Sequence, residues 1–236
     1  MEGSVRLYIT DVTAPDIASL ISRVSKDRIE RAEKFRFEID KRRGLAAETL
    51  LNYGLKRLCG RLLFPVRLLR DENGKPCLDL SQEEKDLLRA AGALSSEAES
   101  LCFSLSHSGD YAACAIADAG EGELGTDIEE HRPDRSGIAE HFFCRGEVER
   151  IRNDEDFYMY WTLKESFLKA VGRGLALPLD SFEVFVDASG EASYVQSVNG
   201  DVYRGRVYRP FKGYTLSVCA GGEGAVFPQE PEIVTL

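Results

Sequence analysis

Alternation with a period of two recurs along this chain and confines it to a fold that mixes antiparallel sheet with helix. In LCFSLS, Leu101, Phe103 and Leu105 point one way and Ser104 and Ser106 the other. His107-Ser108-Gly109-Asp110 turns the chain and YAACAIA returns it, a hairpin signal. ELGTDIEE alternates again: Leu124, Thr126 and Ile128 share one face, and Gly125, Asp127 and Glu129 share the opposite one. Residues 5–12 read as a further strand, and SFEVFVD, ASYVQSV, DVYRGRVYR and GYTLSVCA read as four more, joined by glycine or asparagine turns.

Helical periodicity fills the intervals. Pro15 opens a short helix over roughly 15–24, and residues 26–38 and 40–59 read as two more. The last places Leu45, Leu51, Leu55 and Leu58 near helical spacing and stops at Gly60. Residues 71–76 (DENGKP) form a turn, and residues 81–99 read as a polar helix and a loop. A strong helix spans about 156–171, with Trp161, Leu163, Phe167, Leu168 and Val171 on its apolar side and Gly172 placed to cap it. Tyr214 to Ala220 echoes Tyr111 to Ala115, which hints at two related α+β halves joined near residues 118–122.

Bulk properties exclude several classes. The 236 residues suffice for one large domain or two small ones. No apolar run approaches the ~20 residues of a membrane span, and MEGSVRLYITD lacks the basic and apolar regions of a secretory signal, so a cytoplasmic protein is expected. The six cysteines form no CxxC and read as buried free thiols, and the three histidines are not spaced as a metal cluster. A net charge of −10 argues against nonspecific nucleic-acid binding. Between Lys26 and Arg43, however, eight basic and five acidic residues give a local +3, which suits either a compact anionic ligand or a solvated face.

Asp127 and Glu129, two apart on a strand, project from one face within reach of a single cation, although an exposed strand face also carries acids for solubility. Glu165 and Lys169 share one helical stripe. They form either a surface ion pair or, because Glu165 borders the apolar face, a third metal ligand with a phosphate-contacting lysine beside it. Three carboxylates without a His/Cys set select a hard cation, Mg²⁺ or Mn²⁺, and Mg²⁺ commonly works with substrate phosphates. Ser106-His107-Ser108-Gly109 offers hydroxyls, an imidazole and flexible backbone, though His107 could equally be a satisfied turn residue. Without a GxSxG elbow, a Ser/His hydrolase is ranked low.

FSLSHSGDY (103–111), GTDIE (125–129) and WTLKESFLKAVGRGLALPLDSF (161–182), in this order and spacing, resemble the phosphopantetheinyl transferases of the surfactin-synthetase type. The similarity extends upstream to RAEKFRFEIDKRR and GKP and downstream to the last strands. The resemblance implies an α+β pseudo-dimer with coenzyme A in the cleft between two similar halves. Residues 1–118 would contribute to coenzyme A binding, and residues 119–236 would carry the metal-binding and catalytic groups. By position, Asp127, Glu129 and Glu165 would hold Mg²⁺ against the diphosphate, and Lys169 would contact the diphosphate and the reacting centre. Ser106 and His107 would touch phosphates, with His107 near the 3′-phosphate, and Lys75 would lie by the phosphates too. Arg28, Arg31 and Arg43 would hold the 3′-phosphoadenosine end. Glu147 would sit near the incoming serine, and either it or Glu165 would accept the serine proton. Three departures stand out. Thr126 replaces a usual valine, arginines occupy two positions often held by lysine, and Gly44 replaces a threonine.

The implied activity moves the 4′-phosphopantetheine arm of coenzyme A to a serine of an apo acyl- or peptidyl-carrier protein and releases 3′,5′-ADP. Such a carrier serves fatty-acid or secondary-metabolite synthesis. The carrier is expected to dock on a partly apolar surface around His141, Phe142 and Phe143, and the enzyme to act as a monomer. The rivals are a Mg²⁺-dependent hydrolase of coenzyme A or another nucleotide diphosphate, and a binding module that kept the fold.

Overall fold

The elements run in chain order as β1 (Arg6–Asp11), α1 (Ile17–Ile21), α2 (Lys26–Ala32), α3 (Glu38–Cys59), β2 (Leu68–Arg70), β3 (Pro76–Leu78), α4 (Gln82–Ala90), β4 (Leu101–Ser108) and β5 (Tyr111–Asp118). Then follow β6 (Leu124–Glu130), α5 (Ser136–Phe142), α6 (Arg145–Arg150), α7 (Asp154–Val171), β7 (Glu183–Val186), β8 (Glu191–Val195), β9 (Tyr203–Tyr208), β10 (Tyr214–Gly221) and β11 (Glu232–Ile233). The structure is a computed structural model and describes residues 5–61, 66–71, 74–96, 98–118, 123–133 and 135–236. Beyond Asp118, the link expected at 118–122 lies outside the described residues, as does Asn73 of the expected turn.

The strands form a four-stranded sheet, β11-β1-β5-β4, and a five-stranded sheet, β6-β10-β9-β8-β7. In each half a long helix covers a sheet. Leu45, Leu50, Leu51 and Leu55 of α3 pack with Tyr8, Phe103 and Ile116, and Leu163, Phe167 and Leu168 of α7 pack with Phe182, Val184 and Tyr203. A third cluster lies between the sheets, where Leu7, Ile9 and Ala115 meet Leu124, Ile128, Leu216 and Val218. Each fully buried aliphatic side chain contributes ~1.5–3 kcal/mol, so these clusters make the two halves one body. The fold is the expected α+β pseudo-dimer.

Three boundaries differ from the sequence reading. The helix expected over 26–38 ends at Ala32, and Phe37, extended at φ −104° and ψ 140°, starts the next helix at Glu38. Residues 33–37 offer no apolar stripe to bury, and Phe35 and Phe37 stay exposed. The helix opened by Pro15 shrinks to Ile17–Ile21 after Asp16. The strands β2, β3 and β11 are too short to leave a periodic signal. None of the six cysteines is in a disulfide, but only Cys114 and Cys219 are buried, and Cys77 is exposed.

The two sheets meet at β4 and β6 through side chains in place of a backbone ladder. The hydroxyls of Ser104, Ser106 and Ser108 accept from the amides of Thr126 (3.0 Å), Ile128 (3.3 Å) and Glu130 (3.1 Å). Alternation explains this seam: the serine face of β4 turns toward β6 while its apolar face enters the α3 core.

Candidate active site

The site forms where α7 crosses β6. Gly125 permits the crossing, because a Cβ there would overlap the Ser166 carbonyl oxygen and the Ala170 amide of α7. Asn153 caps α7 through the Asp156 amide at 2.9 Å, and Gly172 ends it in the left-handed conformation. This fixed helix brings Glu165 and Lys169 over Asp127 and Glu129. Asp127, Glu129, Glu165 and Lys169, together with Ser106, His107 and Arg28, line a cavity of about 480 Å³, walled further by Trp161 and Leu105.

Asp127 is buried, and its two oxygens differ. Oδ1 accepts from Lys169 Nζ at 2.7 Å and from the Ser106 hydroxyl at 2.8 Å. Oδ2 is buried without a hydrogen-bond partner. An orphaned carboxylate oxygen carries a large desolvation cost unless a cation meets it. Glu129 accepts from Ser108 Oγ at 2.7 Å, and burial, then the Asp127 charge, raises its pKa. Burial, then Asp127, also pushes Glu165 up to about 7, and its carboxylate makes no hydrogen bond among the described residues. These are hard oxygen donors in want of positive charge, so they fit Mg²⁺, whose remaining positions substrate phosphates commonly fill. As placed, no three such side chains among the described residues already converge on one point. The ammonium of Lys169 occupies Asp127 Oδ1 instead. The alternative of a Glu165–Lys169 surface ion pair is not what forms, since Lys169 pairs with Asp127.

Lys169 also donates to Ser106 Oγ (2.9 Å) and to the Thr126 carbonyl (3.0 Å). The Ser106 hydroxyl therefore has its donor and both acceptor positions spent on Asp127, Lys169 and the Ile128 amide. Although Ser106 lines the cavity, it braces Asp127 and has nothing left for a phosphate. His107 faces the cavity from the end of β4. The residue is exposed, and partial desolvation, then the charges of Lys169, Arg43 and Arg28, lowers its pKa.

A second compartment of about 410 Å³ shares Arg28, Leu105 and Lys169 with the first. Its cations are Arg28, Lys75, Lys169 and Arg173, and no carboxylate lines it among the described residues. Lys75 Nζ donates to the carbonyls of Ala170 (2.8 Å) and Leu124 (3.3 Å). On the other side, a compartment of about 290 Å³ shares Glu129 and Trp161 with the central cavity. Phe157, Tyr158 and Ile138 wall it, with Arg132 and Arg135 beside them.

Three expected residues lie elsewhere. Arg31 pairs with Asp27 one turn back at 2.8 Å and lines none of these compartments. Arg43 donates from Nη1 to Asp40 (2.8 Å) and from Nε to the Gly109 carbonyl (2.7 Å), so it holds the β4–β5 turn, and it lines none of these compartments. On the other side of that turn, Tyr214 Oη accepts from the Asp110 amide at 3.1 Å, and Tyr214 packs where a Cβ of Gly109 (φ 53°) would stand. Glu147 does not line the cavity either. Its side chain is wholly buried, 2.8 Å from the equally buried Lys164 ammonium, and its oxygens accept from the Cys144 and Val184 amides. Burial raises the pKa of Glu147 and lowers that of Lys164. A carboxylate locked in this core has no path to an incoming serine.

Arg173, Trp161 and Glu48 had no assigned role in the sequence reading. Arg173 carried only the weak signal of a cation in the Gly-Arg-Gly loop after the α7 cap. Glu48 carried a better one, a charged residue on the stripe of Leu45 and Leu55.

The family model described as the 4′-phosphopantetheinyl transferase superfamily matches residues 123–219, and that described as 4′-phosphopantetheinyl transferase, N-terminal, matches residues 12–119. The chain is 31% identical over 223 residues to the 4′-phosphopantetheinyl transferase ffp of Bacillus subtilis, covering 92% of this chain and 88% of that one. It is 30% identical over 222 residues to the 4′-phosphopantetheinyl transferase Sfp of Bacillus subtilis (strain 168), with the same coverage of 92% and 88%. With the L-aminoadipate-semialdehyde dehydrogenase-phosphopantetheinyl transferase of Mus musculus it shares 33% identity over 177 residues, 68% of this chain and 52% of that one.

Proposed function

Because this chain belongs to the 4′-phosphopantetheinyl transferase superfamily, we propose that it moves the 4′-phosphopantetheine arm of coenzyme A onto a serine of an apo acyl- or peptidyl-carrier protein, with Mg²⁺, releasing 3′,5′-ADP. The observation that carries the reading is the buried, unpartnered Oδ2 of Asp127. Asp127 lines a cavity with Glu129, Glu165 and Lys169, beside a cation-lined compartment that no carboxylate lines among the described residues.

Coenzyme A is a linear molecule, and the compartments suit its parts in order. The 3′-phosphoadenosine end belongs with Arg28, Lys75 and Arg173, the diphosphate with the central carboxylates and Lys169, and the uncharged arm with the aromatic wall of Phe157, Tyr158 and Trp161. Residues 1–118 thus supply most of the nucleotide contacts and residues 119–236 the reacting groups. Asp127, Glu129 and Glu165 would hold the Mg²⁺, which when bound neutralises charge on the diphosphate.

In the transfer, the serine oxygen bonds to the phosphorus that carries pantetheine. The bridging bond of the diphosphate breaks, and 3′,5′-ADP leaves with the bond's electron pair. Lys169, held by Asp127 and the Thr126 carbonyl, keeps an ammonium fixed where negative charge builds, so little reorganisation is needed at the transition state. With Glu147 locked against Lys164, Glu165 is the carboxylate left in the cleft to accept the serine proton. Trp161 and Leu105 narrow the cavity and limit water beside the reacting centre.

The test is intact-mass spectrometry of an apo carrier protein after incubation with this protein, coenzyme A and Mg²⁺. The expected result is the gain of one phosphopantetheine arm, lost with EDTA. Consumption of coenzyme A without carrier modification would overturn the transferase reading in favour of hydrolysis.

A further inference from the structure

The stripe of α3 that buries Leu45 and Leu55 also buries two polar side chains, Glu48 and Asn52, 1% and 4% exposed. Both grip the chain that leads into α2. Asn52 Nδ2 donates to the Arg23 carbonyl at 2.7 Å. Glu48 Oε1 accepts from the Ser25 amide at 2.6 Å, and its Oε2 accepts from Arg28 Nε at 2.9 Å. Ser25 in turn caps α2, its hydroxyl accepting from the Arg28 amide at 3.2 Å. One buried carboxylate therefore holds both the start of α2 and the side chain of Arg28.

The consequence is a guanidinium with a fixed back and a free edge. Arg28 Nη1 and Nη2 make no hydrogen bond among the described residues, and Arg28 lines both the central and the basic compartments. Gly44 packs beside it: a Cβ there would stand in ordinary contact, 3.9 Å from Nη1 and 3.6 Å from the Phe35 ring. Of the other cations near the nucleotide end, Lys169 spends all three ammonium donors, and Lys75 two of its three, on protein acceptors. Arg28 and Arg173 keep the most donors for a phosphate. A leucine at position 48 would pack with its neighbours without burying a charge, and a buried ion pair commonly stabilises no better than such apolar packing. Stability alone does not account for Glu48.

We propose that Glu48 is a positioning residue which aims the Nη edge of Arg28 at a phosphomonoester beside the nucleotide, so that the pair selects coenzyme A over 3′-dephospho-coenzyme A. This rests on the coenzyme A reading above. The geometry matters as much as the charge, because a guanidinium released from Glu48 keeps its charge and loses its aim.

The experiment is calorimetric titration of the full chain with coenzyme A and with 3′-dephospho-coenzyme A in Mg²⁺, for wild type, Glu48→Gln, Arg28→Gln and the double variant. Wild type is expected to prefer coenzyme A by about tenfold or more, the size of one hydrogen bond between charged groups. Glu48→Gln should erase most of that ratio by weakening coenzyme A alone, and adding Arg28→Gln should change nothing further. Equal weakening of both ligands by Glu48→Gln, or additive effects of the two changes, would overturn the proposal. If circular dichroism finds Glu48→Gln unfolded, Glu48→Asp keeps the charge with a shorter reach and should lower the ratio partway; an unchanged ratio in folded Glu48→Asp and Arg28→Gln would overturn it too. Wild type that binds both ligands equally sinks the Glu48 role and leaves the transferase reading intact. Selective binding with no carrier modified sinks the transferase reading and leaves the Glu48 role intact.

Discussion

Replacing Lys164 with methionine isolates what the buried pair beneath the cleft contributes. In the native protein the ammonium meets Glu147 Oε2 at 2.8 Å and donates to the carbonyls of Leu179 (2.7 Å) and Phe182 (2.8 Å). Lys164→Met fills the volume but strands a carboxylate and two carbonyls in the core. Removing one partner of a buried pair costs about 3–5 kcal/mol. At roughly 2–4 °C per kcal/mol for a chain of this size, the melting temperature should fall by roughly 6–20 °C. The defect should depend on pH in a defined direction. A lone buried Glu147 has a folded-state pKa above its unfolded value of about 4.3, so the folded state holds the extra proton and stability drops as pH rises from there. The variant should therefore sit closer to wild type at pH 5 than at pH 8. Adding Glu147→Leu should recover most of the loss, because a buried pair replaced as a unit by apolar groups is close to neutral. Thermal melts of the three variants at both pH values measure all of this. A loss under about 1 kcal/mol, or one that ignores pH, would refute the assignment of Glu147 as a core ion-pair partner. Transfer assays make the same point from the other side. Glu147→Gln, assayed well below its melting point, should keep most of its turnover, whereas loss of a general base costs about 10²–10⁴-fold.

The remaining expectations concern the cleft. Lys169→Ala should lower kcat by roughly 10²–10³-fold with little change in the Michaelis constant for coenzyme A, because its charge is held where the transition state needs it; steady-state kinetics on an apo carrier decide, and a rise in the Michaelis constant alone would contradict the role. Gly125→Ala should cost at least about 1–3 kcal/mol by overpacking, together with transfer activity, since α7 must retreat from β6 and carry Glu165 and Lys169 with it; a urea melt and a transfer assay measure the two losses. Glu165, raised by burial from the ordinary glutamate value of about 4.5 to about 7, should make the protein in EDTA lose stability as pH climbs from about 4.5 through 7. Glu165→Gln should flatten that slope, and Mg²⁺ should raise the melting temperature more at pH 8 than at pH 5.5, because ligand carboxylates must be deprotonated. Stabilisation by Mg²⁺ that is equal at both pH values would count against Glu165 as a ligand.

The sequence revealed the framework where one element carries its own period. The faces of β6, the serine and apolar sides of β4, the leucine stripe of α3 and the cap at Gly172 all follow from alternation or helical spacing within a few residues. Alternation puts Asp127 beside Glu129, and helical spacing puts Glu165 beside Lys169; that the two pairs form one site was implied by the family resemblance. What stayed hidden depends on partners far apart in the chain. Glu147 and Lys164 meet across α6 and α7, and nothing in FFCRGE shows that its glutamate turns inward. Arg28, Arg31 and Arg43 look alike in a basic stretch, yet Glu48 leaves one with a free edge in the cleft, while Asp27 and the Gly109 carbonyl claim the others. Ser106 looked like a phosphate contact because a serine beside a histidine suits one. The seam with β6 takes its hydroxyl first.

The same pairing explains how a chain of net charge −10 can hold a polyanion such as coenzyme A. Averaged over the surface its field repels such a ligand, and at physiological salt that repulsion is screened within about 8 Å. Inside the cleft the charges are sorted. The carboxylates Asp127, Glu129 and Glu165 gather in the central cavity, and the adjoining compartment contains Arg28, Lys75, Lys169 and Arg173 with no acid among the described residues that line it. Most of those cations are anchored by carbonyls or buried carboxylates, so they stand in place before a ligand arrives. Affinity for the nucleotide end then depends on short contacts in a partly desolvated pocket. Added salt should weaken it far less than it weakens the encounter with an acidic carrier across the open surface, and titrating coenzyme A at low and high ionic strength separates the two. A steep salt dependence of coenzyme A binding would mean that the whole-protein field governs binding, and the sorting of charges in the cleft would lose its explanatory role.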